Sequence, residues 1–398
     1  MPTPRRRNSS FGPTQEMVAE ALGVSQSTVA LALNPKHRHK LAEATVKKIV
    51  ETAEAMGYRP QQFARILRNG RSHTIGVIYY SIYHPSRERV KYLAQYAIEA
   101  GYQLVALDLA WFDRDGRRVQ DYLLGLNVEG VILCNVTYEI GEEWVRFFSN
   151  RKLPILSLAS SLEGDVEHVG VDVAPAFREL TQHHLHLGSK RLALLLPFFD
   201  TGFLGRPGDP VMQRVQGFKE VILKRRGILR TAPEQYEILE IAPAPAGAEA
   251  EITGYVIYPE RLSQYDTMFA FGYLQTEKLI KEGNLPDSLL CANDEIASGA
   301  LRACYRYHVD VPGEVRISGM DDTPFAGYCH LPLTTVAQPN REVARYSIER
   351  IIDMIEDGEA HEKRRNRSFP CRVLYRESTL GEQYPITKGD PASSVARP

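Results

Sequence analysis

Long apolar runs are missing from this 398-residue chain. No stretch approaches the ~18 consecutive apolar residues of a membrane span, which argues against a transmembrane helix. The opening MPTPRRRNSSFGP is basic but has no apolar stretch behind it, so no secretory signal is expected. Cysteine is scarce: Cys134, Cys291, Cys304, Cys329 and Cys371 are scattered and none stands in CxxC spacing. Reduced core thiols in a cytosol are the simplest reading, with no disulfide framework and no metal site. Also absent are GxSxG, a P-loop, and GxGxxG with a downstream acid. Each is a common signature of an α/β enzyme, so neither enzyme nor cofactor is expected.

Net charge is nearly absent too, at −1, but only as a sum. Residues 1–72 hold twelve Lys/Arg against five Asp/Glu, so the remaining residues carry a net −8. A small basic head on an acidic body suits a polyanion at the head alone, although a basic disordered leader would give the same balance. The length itself implies more than one domain.

The head reads as three short helices. Thr14 is placed to cap QEMVAEAL, with Glu16 in the first turn and Val18, Ala19 and Leu22 as its apolar stripe. Gly23 breaks this helix and Ser25 caps the next. There Val29, Ala32 and Leu33 share one face, while Gln26, Ser27 and Thr28 gather at the N-terminal end on another. Two short helices around a tight glycine turn make a helix-turn-helix, whose second helix reads base edges with its first residues; a generic helical hairpin shares that spacing. A third helix is expected from about Glu43 to Met56, ended by Gly57, with Ile49, Ala53 and Met56 closing the core. Ala64, Arg65, Leu67 and Arg68 could form one helix too short to stand alone in water. Such a segment, folding only on binding, suits a minor-groove wedge; a plain linker is the alternative.

From His73 onward, apolar runs such as TIGVIYY, VEGVILCN, LPILSLAS, RLALLLP and SLLCAND alternate with helix-like stretches. That alternation implies parallel α/β layers, here long enough for two lobes with a ligand crevice at the strands' carboxyl ends. Polar residues at those ends are the candidates: Asp172, Asn293-Asp294, Asp321-Asp322, and Arg214 at a helix start. Singly, each reads equally as a helix cap or a surface residue. Together they supply carboxylates, an amide and a guanidinium able to hold hydroxyls or a heterocycle. Between Glu240 and Thr267 the chain looks like a surface excursion of the second lobe, in which ITGYVIYPE adds an edge strand ended by Pro259.

TQEMVAEALGVSQSTVALALN followed by GYRPQQFARILRNGRSHTIGVI resembles the LacI/GalR family of bacterial transcription regulators. VGVDVAPAFRELTQHHLHLGSKRLALL, RVQGF, CANDEIASGALRA, VPGEVRISGMDD, LPLTTVAQP and VLYRESTL follow in that family's order. The resemblance implies a helix-turn-helix head with a hinge helix, joined to a two-lobed, periplasmic-binding-protein-like α/β domain with parallel sheets. It implies a DNA-binding regulator, a repressor, acting as a cytoplasmic homodimer on a pseudo-palindromic operator and associated with the nucleoid through it. A small effector between the lobes would switch it; a sugar or sugar derivative is the family's commonest type, and purines occur as well.

On that resemblance Ser25, Thr28 and Asn34 touch phosphates, and Gln26, Ser27 and Leu31 take the base-reading positions. Ala64 and Leu67 enter the minor groove, Leu67 as the wedge, with Arg65 and Arg68 beside them. Arg214, Asn293 and Asp321 contact the effector, with lesser support for Asp172 and Gln338, while Tyr83 and His84 face the cleft. Three departures stand out. Ala30-Leu31 replaces the family's usual Ser-Arg, the loop NPKHRHK is longer and more basic, and Ala42 stands where a capping serine is usual. With base readout thinned, Lys36, Arg38 and Lys40 are expected to carry more of the affinity through phosphate attraction.

The resulting division is a disordered leader (1–12), a helix-turn-helix domain (13–59), a hinge helix and linker (60–73), the two-lobed domain (74–380) and a flexible tail (381–398). Within the two-lobed domain, the N-lobe is about 74–174 and 338–368, and the C-lobe about 175–337 and 369–380.

Overall fold

A computed structural model of the chain describes residues 13–33, 38–58, 71–79, 84–109, 117–136, 138–158, 162, 166–196, 210–224, 228–231, 252–258, 267–357 and 366–381. Two compact units separate at Ser72 and His73.

In the first unit, α1 (Gln15–Leu22) starts at Thr14, whose hydroxyl accepts the Met17 N–H at 3.3 Å. It ends where Gly23 turns left-handed at φ 63°, a conformation that costs a side-chain-bearing residue and not glycine. α2 (Gln26–Leu33) begins after Ser25, whose Oγ accepts the Thr28 N–H at 3.1 Å. α3 (Glu43–Ala55) follows a 3-10 turn at Arg38–Lys40. Its N-cap, Ala42, makes no side-chain hydrogen bond, so the usual contribution of about 1 kcal/mol is missing there. Eight-residue helices are marginal in isolation. These are held by a shared core of Val18, Ala19, Val29, Ala32, Ile49 and Ala53, with Leu22, Leu33 and Met56 packed around it.

The second unit carries two sheets. The first contains β1 (Thr74–Tyr79), β2 (Gln103–Asp108), β3 (Gly130–Cys134), β4 (Ile155–Leu158) and β5 (Glu167–Asp172), with α4 (His84–Glu99), α5 (Arg117–Gly125) and α6 (Tyr138–Ser149) between them. The second is built after α7 (Ala174–His186) from β6 (Arg191–Leu195), α8 (Pro210–Lys224), β7 (Ile228–Thr231), β8 (Thr253–Ile257), α9 (Met268–Lys281), β9 (Ser288–Cys291), α10 (Asp294–Arg306), β10 (Arg316–Met320), α11 (Pro324–Tyr328) and β11 (Thr334–Ala337). The chain then returns through α12 (Asn340–Asp357) and β12 (Arg367–Pro370) before β13 (Arg372–Leu374) and α13 (Glu377–Leu380).

The first sheet is parallel throughout, in the order β12-β5-β4-β3-β1-β2. The second runs β13-β11-β10-β9-β6-β8-β7, parallel except for β13 against β11. This is the expected class of an α-helical head and a two-sheet α/β body. Strands covered on both faces read as continuous apolar runs, and β3, β4 and β9 are buried along their whole length.

Two expectations need correction. ITGYVIYPE forms an interior strand and not an edge: β8 lies between β6 and β7, and β7 takes the edge. The short ILRT at 228–231 pairs with β8 and covers the side that would have been open. The first sheet also claims residues up to Pro370, past the expected 368, because β12 pairs with β5 through Pro370 opposite Asp172.

The chain therefore passes between the sheets at Val173, between Ala337 and Asn340, and at Cys371. Buried polar links tie helices to strands within each lobe. Arg350 of α12 forms a two-point ion pair with Glu167 of β5, its Nε 2.7 Å from the carboxylate. His184 of α7 bridges the hydroxyls of Ser288 (2.8 Å) and Ser318 (2.9 Å), and its full burial keeps the ring neutral.

Candidate functional site

Two sets of expected site residues fall in separate units. In the head, Ser25, Gln26 and Ser27 are exposed at the N-terminus of α2, with Thr28 and Leu31 half-buried. Val29 and Ala32 face inward, so the polar and apolar faces separate as the spacing requires. The Ser25 hydroxyl is a hub: it lies 2.7 Å from Ser27 Oγ and 2.8 Å from Thr28 Oγ1 while capping the helix. These hydroxyls cluster at the positively polarised helix N-terminus, a place that suits an anion. At the other end, Arg38 Nε donates to the Ala32 carbonyl at 3.1 Å, and Arg38 and Lys40 are exposed. Asn34, Lys36, Ala64, Arg65, Leu67 and Arg68 lie outside the described residues.

In the body, the strands' carboxyl ends gather charge from both lobes. Asp321 follows β10 with φ 112°, a strained value for a side-chain-bearing residue, and is almost buried. Its Oδ1 accepts Gln338 Nε2–H at 2.7 Å. Gln338 lies on the second passage between lobes, and its Oε1 accepts a short hydrogen bond from Arg89 Nη2. Arg89, on α4, also donates from Nη1 to Asn135 Oδ1 at 2.9 Å. Side chains thus link N-lobe, passage and C-lobe in one line. Burial raises the Asp321 carboxyl to about 7, against the pull of Arg214, the Gln338 hydrogen bond and Arg89.

Arg214 sits in the first turns of α8, half-buried, with Nε on the Ala292 carbonyl at 3.1 Å and its guanidinium 5.9 Å from the Phe177 ring centre. Beside it on α8, Gln213 fastens the first passage by accepting the Val173 N–H at 2.6 Å. Asn293 caps α10, its Oδ1 taking the Ile296 N–H at 2.8 Å, so its amide nitrogen is the group left for a ligand. Asp294 is fully buried; its carboxylate accepts from Thr335 Oγ1 at 2.6 Å and the Thr323 N–H at 2.7 Å. Burial first, then the charge of Asp321, raises it to about 8. Asp172 is exposed at the end of β5. The Cys371 thiol, pushed up to about 12 mainly by burial, also feels Arg89, Arg214, Asp321 and Asp172, which marks the third passage as the point where all four charges converge.

The structure brings Arg214, Asp321 and Gln338 together, sets Asp172 at their edge, and commits half of Asn293 to capping. Tyr83 lies outside the described residues, as does the side chain of His84, which opens α4. Arg89 and Asn135 were not anticipated. A signal for Arg89 was available: Arg89, Leu93 and Ala97 recur every four residues, and all three are buried, so Arg89 lies on the inward stripe of α4.

Comparison with known proteins follows the same outline. Residues 181–379 match the family described as periplasmic binding protein-like domain. The ribose operon repressor of Escherichia coli is 27% identical over 349 residues, covering 86% of this chain and 93% of that protein. The HTH-type transcriptional regulator PtxS of Pseudomonas aeruginosa is 28% identical over 371 residues, covering 92% and 95%. Among solved structures, the lac repressor dimer bound to operator and the anti-inducer ONPF superposes with a TM-score of 0.68 at 21% identity, covering 93% of this chain and 99% of that one. With its helical head, two-sheet body and matches over nearly the whole length, the chain belongs to the LacI/GalR family of transcription regulators and carries that family's periplasmic-binding-protein-like domain.

Proposed function

We propose that the chain is a sequence-specific DNA-binding transcription regulator, a repressor acting as a homodimer on a pseudo-palindromic operator. Its operator affinity is switched by a small effector bound between the two lobes. The observation that carries this reading is the junction at Gln338, where side chains of both lobes meet across the strand ends in a chain whose other unit is a helix-turn-helix. An occupant of that junction would change the angle between lobes, and two-state lobe geometry is how such proteins couple a ligand to a distant site. Relatives are described as operon repressors, and solved relatives include the operator-bound lac repressor dimer and a CelR–cellobiose complex.

In the head, Gln26, Ser27 and Leu31 read bases, while Ser25, Thr28, Asn34, Lys36, Arg38 and Lys40 hold phosphates. Ala64, Arg65, Leu67 and Arg68 form the hinge contact in the minor groove. In the body, Arg214, Asn293, Asp321, Asp172 and Gln338 contact the effector, with Tyr83 and His84 at the cleft. Leu31 offers only an apolar contact, so the operator differs from those of relatives with arginine there. The regulator works in the cytoplasm, associated with the nucleoid through its operator; no helix among the described residues is long and apolar enough to cross a membrane. A solute-binding protein shares the two-lobed body but has no use for the head.

The test is retardation of DNA from around the chain's own gene by the purified protein at low salt, with and without a panel of sugars, sugar acids and nucleobases. Arg214→Ala and Asp321→Ala are each expected to abolish the effector response and leave operator affinity nearly intact. A chain that retards no such DNA would overturn the reading.

A further inference from the structure

Three arginines are buried among the described residues: Arg89, Arg350 and Arg376. A guanidinium cannot shed its charge, so burial without a counter-charge is costly. Arg350 meets this with the two oxygens of Glu167, and Arg376 with Asp322 at 2.7 Å. Arg89 has no carboxylate of its own among the described residues. Among the described residues its two Nη groups reach the neutral amides of Asn135 and Gln338, its Nε has no hydrogen-bond partner, and the Cys134 thiol is another polar group it feels. Asp321 is one side chain away, across Gln338. It faces Arg214 as well, and burial holds its proton close to neutral pH. Among the described residues, two permanent cations therefore converge on the third passage, against one exposed carboxylate, Asp172, and one that is partly protonated.

We propose that the effector is an anion, a polyhydroxy acid whose carboxylate is taken by Arg89, with Arg214 facing it from the other lobe. Asn135 and Gln338, amides flanking Arg89, suit the acid's hydroxyls, as does the free amide nitrogen of Asn293. A neutral sugar would leave the buried charge of Arg89 as it stands. This inference rests on the cleft being the effector site. Arg89 is then the residue that selects for charge.

The test uses the full chain in thermal-shift and calorimetric titrations with D-gluconate and D-galacturonate, each against its neutral counterpart, D-glucose and D-galactose. Adenosine serves as a nucleoside control. An acid is expected to raise the melting temperature and bind at least tenfold more tightly than its neutral counterpart. Arg89→Gln should erase that ratio, and Arg89→Lys should keep part of it. The ratio within one variant does not move if Arg89 merely holds the fold, and a cooperative melt checks that the variants are folded. Protection by a neutral sugar or adenosine and by neither acid, protection by nothing in the panel, or an unchanged ratio in Arg89→Gln overturns the inference. In the first case the regulator reading survives, whereas failure of the wild-type chain to retard its own operator DNA sinks that reading whatever ligand binds.

Discussion

α9 and α10 lie so close that each has a glycine against the other's backbone. A Cβ added at Gly299 would stand 2.2 Å from the Phe269 carbonyl oxygen, and one at Gly272 2.1 Å from that of Ile296. Ordinary contact begins near 3.4 Å, so alanine at Gly299 requires the two helix backbones to part by about 1.2 Å. No flexible side chain is there to give way. Over-packing of this kind costs about 1–3 kcal/mol. Against that, alanine in a helix gains about 0.5–1 kcal/mol over glycine. The balance for Gly299→Ala is a loss of about 1 kcal/mol and at most about 2.5 kcal/mol, read as a lower urea midpoint at unchanged slope. Because α10 opens with Asn293 and Asp294, the same displacement disturbs the cleft, and weaker effector binding should accompany the lost stability. Gly125→Ala, at the end of α5 with nothing within 4 Å of its Cβ, is the control and should stabilise by up to about 1 kcal/mol. A Gly299→Ala protein as stable as the wild type would refute the close-contact argument.

The Asp294 carboxyl is raised to about 8 in the folded chain, so its stability contribution is fully present below the unfolded value near 4 and is lost as pH climbs through 8. Asp294→Asn should therefore narrow the stability difference between pH 5 and pH 8.5 by a few kcal/mol, measured by urea denaturation at both values. Glu167→Ala leaves the Arg350 charge buried and should cost about 3–5 kcal/mol, while Glu167→Met with Arg350→Met recovers most of it; equal losses would contradict this. Neutralising Lys36, Arg38 and Lys40 together should flatten the salt dependence of operator binding, by about 0.9 in log–log slope for each phosphate that no longer meets a cation. Arg38→Ala alone should also lower head stability, because it removes the bond to the Ala32 carbonyl, and a melt of the head reads this separately.

Elements with strong local patterning could be read from the sequence. Gly23 as a breaker, Thr14 and Ser25 as caps, and the apolar runs of β1, β3, β4, β6 and β9 need only nearest neighbours to be interpreted. The errors lie where a partner distant in sequence decides. β12 is an edge strand with mostly exposed residues and a terminal proline, so it has no apolar run to announce it; its place comes from pairing with β5. β8 looks like an edge strand until β7, only four residues long, is set beside it. In the cleft, Asp321 and Arg214 are legible as polar residues at element ends. Arg89 sits within the charged run RERVK, which reads as a solvated face. Its inward direction shows only in the four-residue spacing with Leu93 and Ala97, and what it meets there, the amides of Asn135 and Gln338, lies 46 and 249 residues away. Asn293 shows the reverse case, an expected site residue whose oxygen is already occupied by the helix that it starts.

The third passage between lobes is a single residue. Pro370 is the last residue paired to the first sheet and Arg372 the first paired to the second, so Cys371 alone separates the two sheets there. A joint this short, doubled by Val173 alongside it, resists sliding but allows turning, and turning acts as a lever. Both sheets present their carboxyl ends to the pivot, so the amino end of β1 at Thr74 is the far tip of the N-lobe. Rotation at the joint is greatest in travel at that tip, which is where the chain from the helical unit enters. A ligand that closes the cleft by a small angle would thereby be read out at the place of largest displacement, and stiffening Val173 would mute the signal.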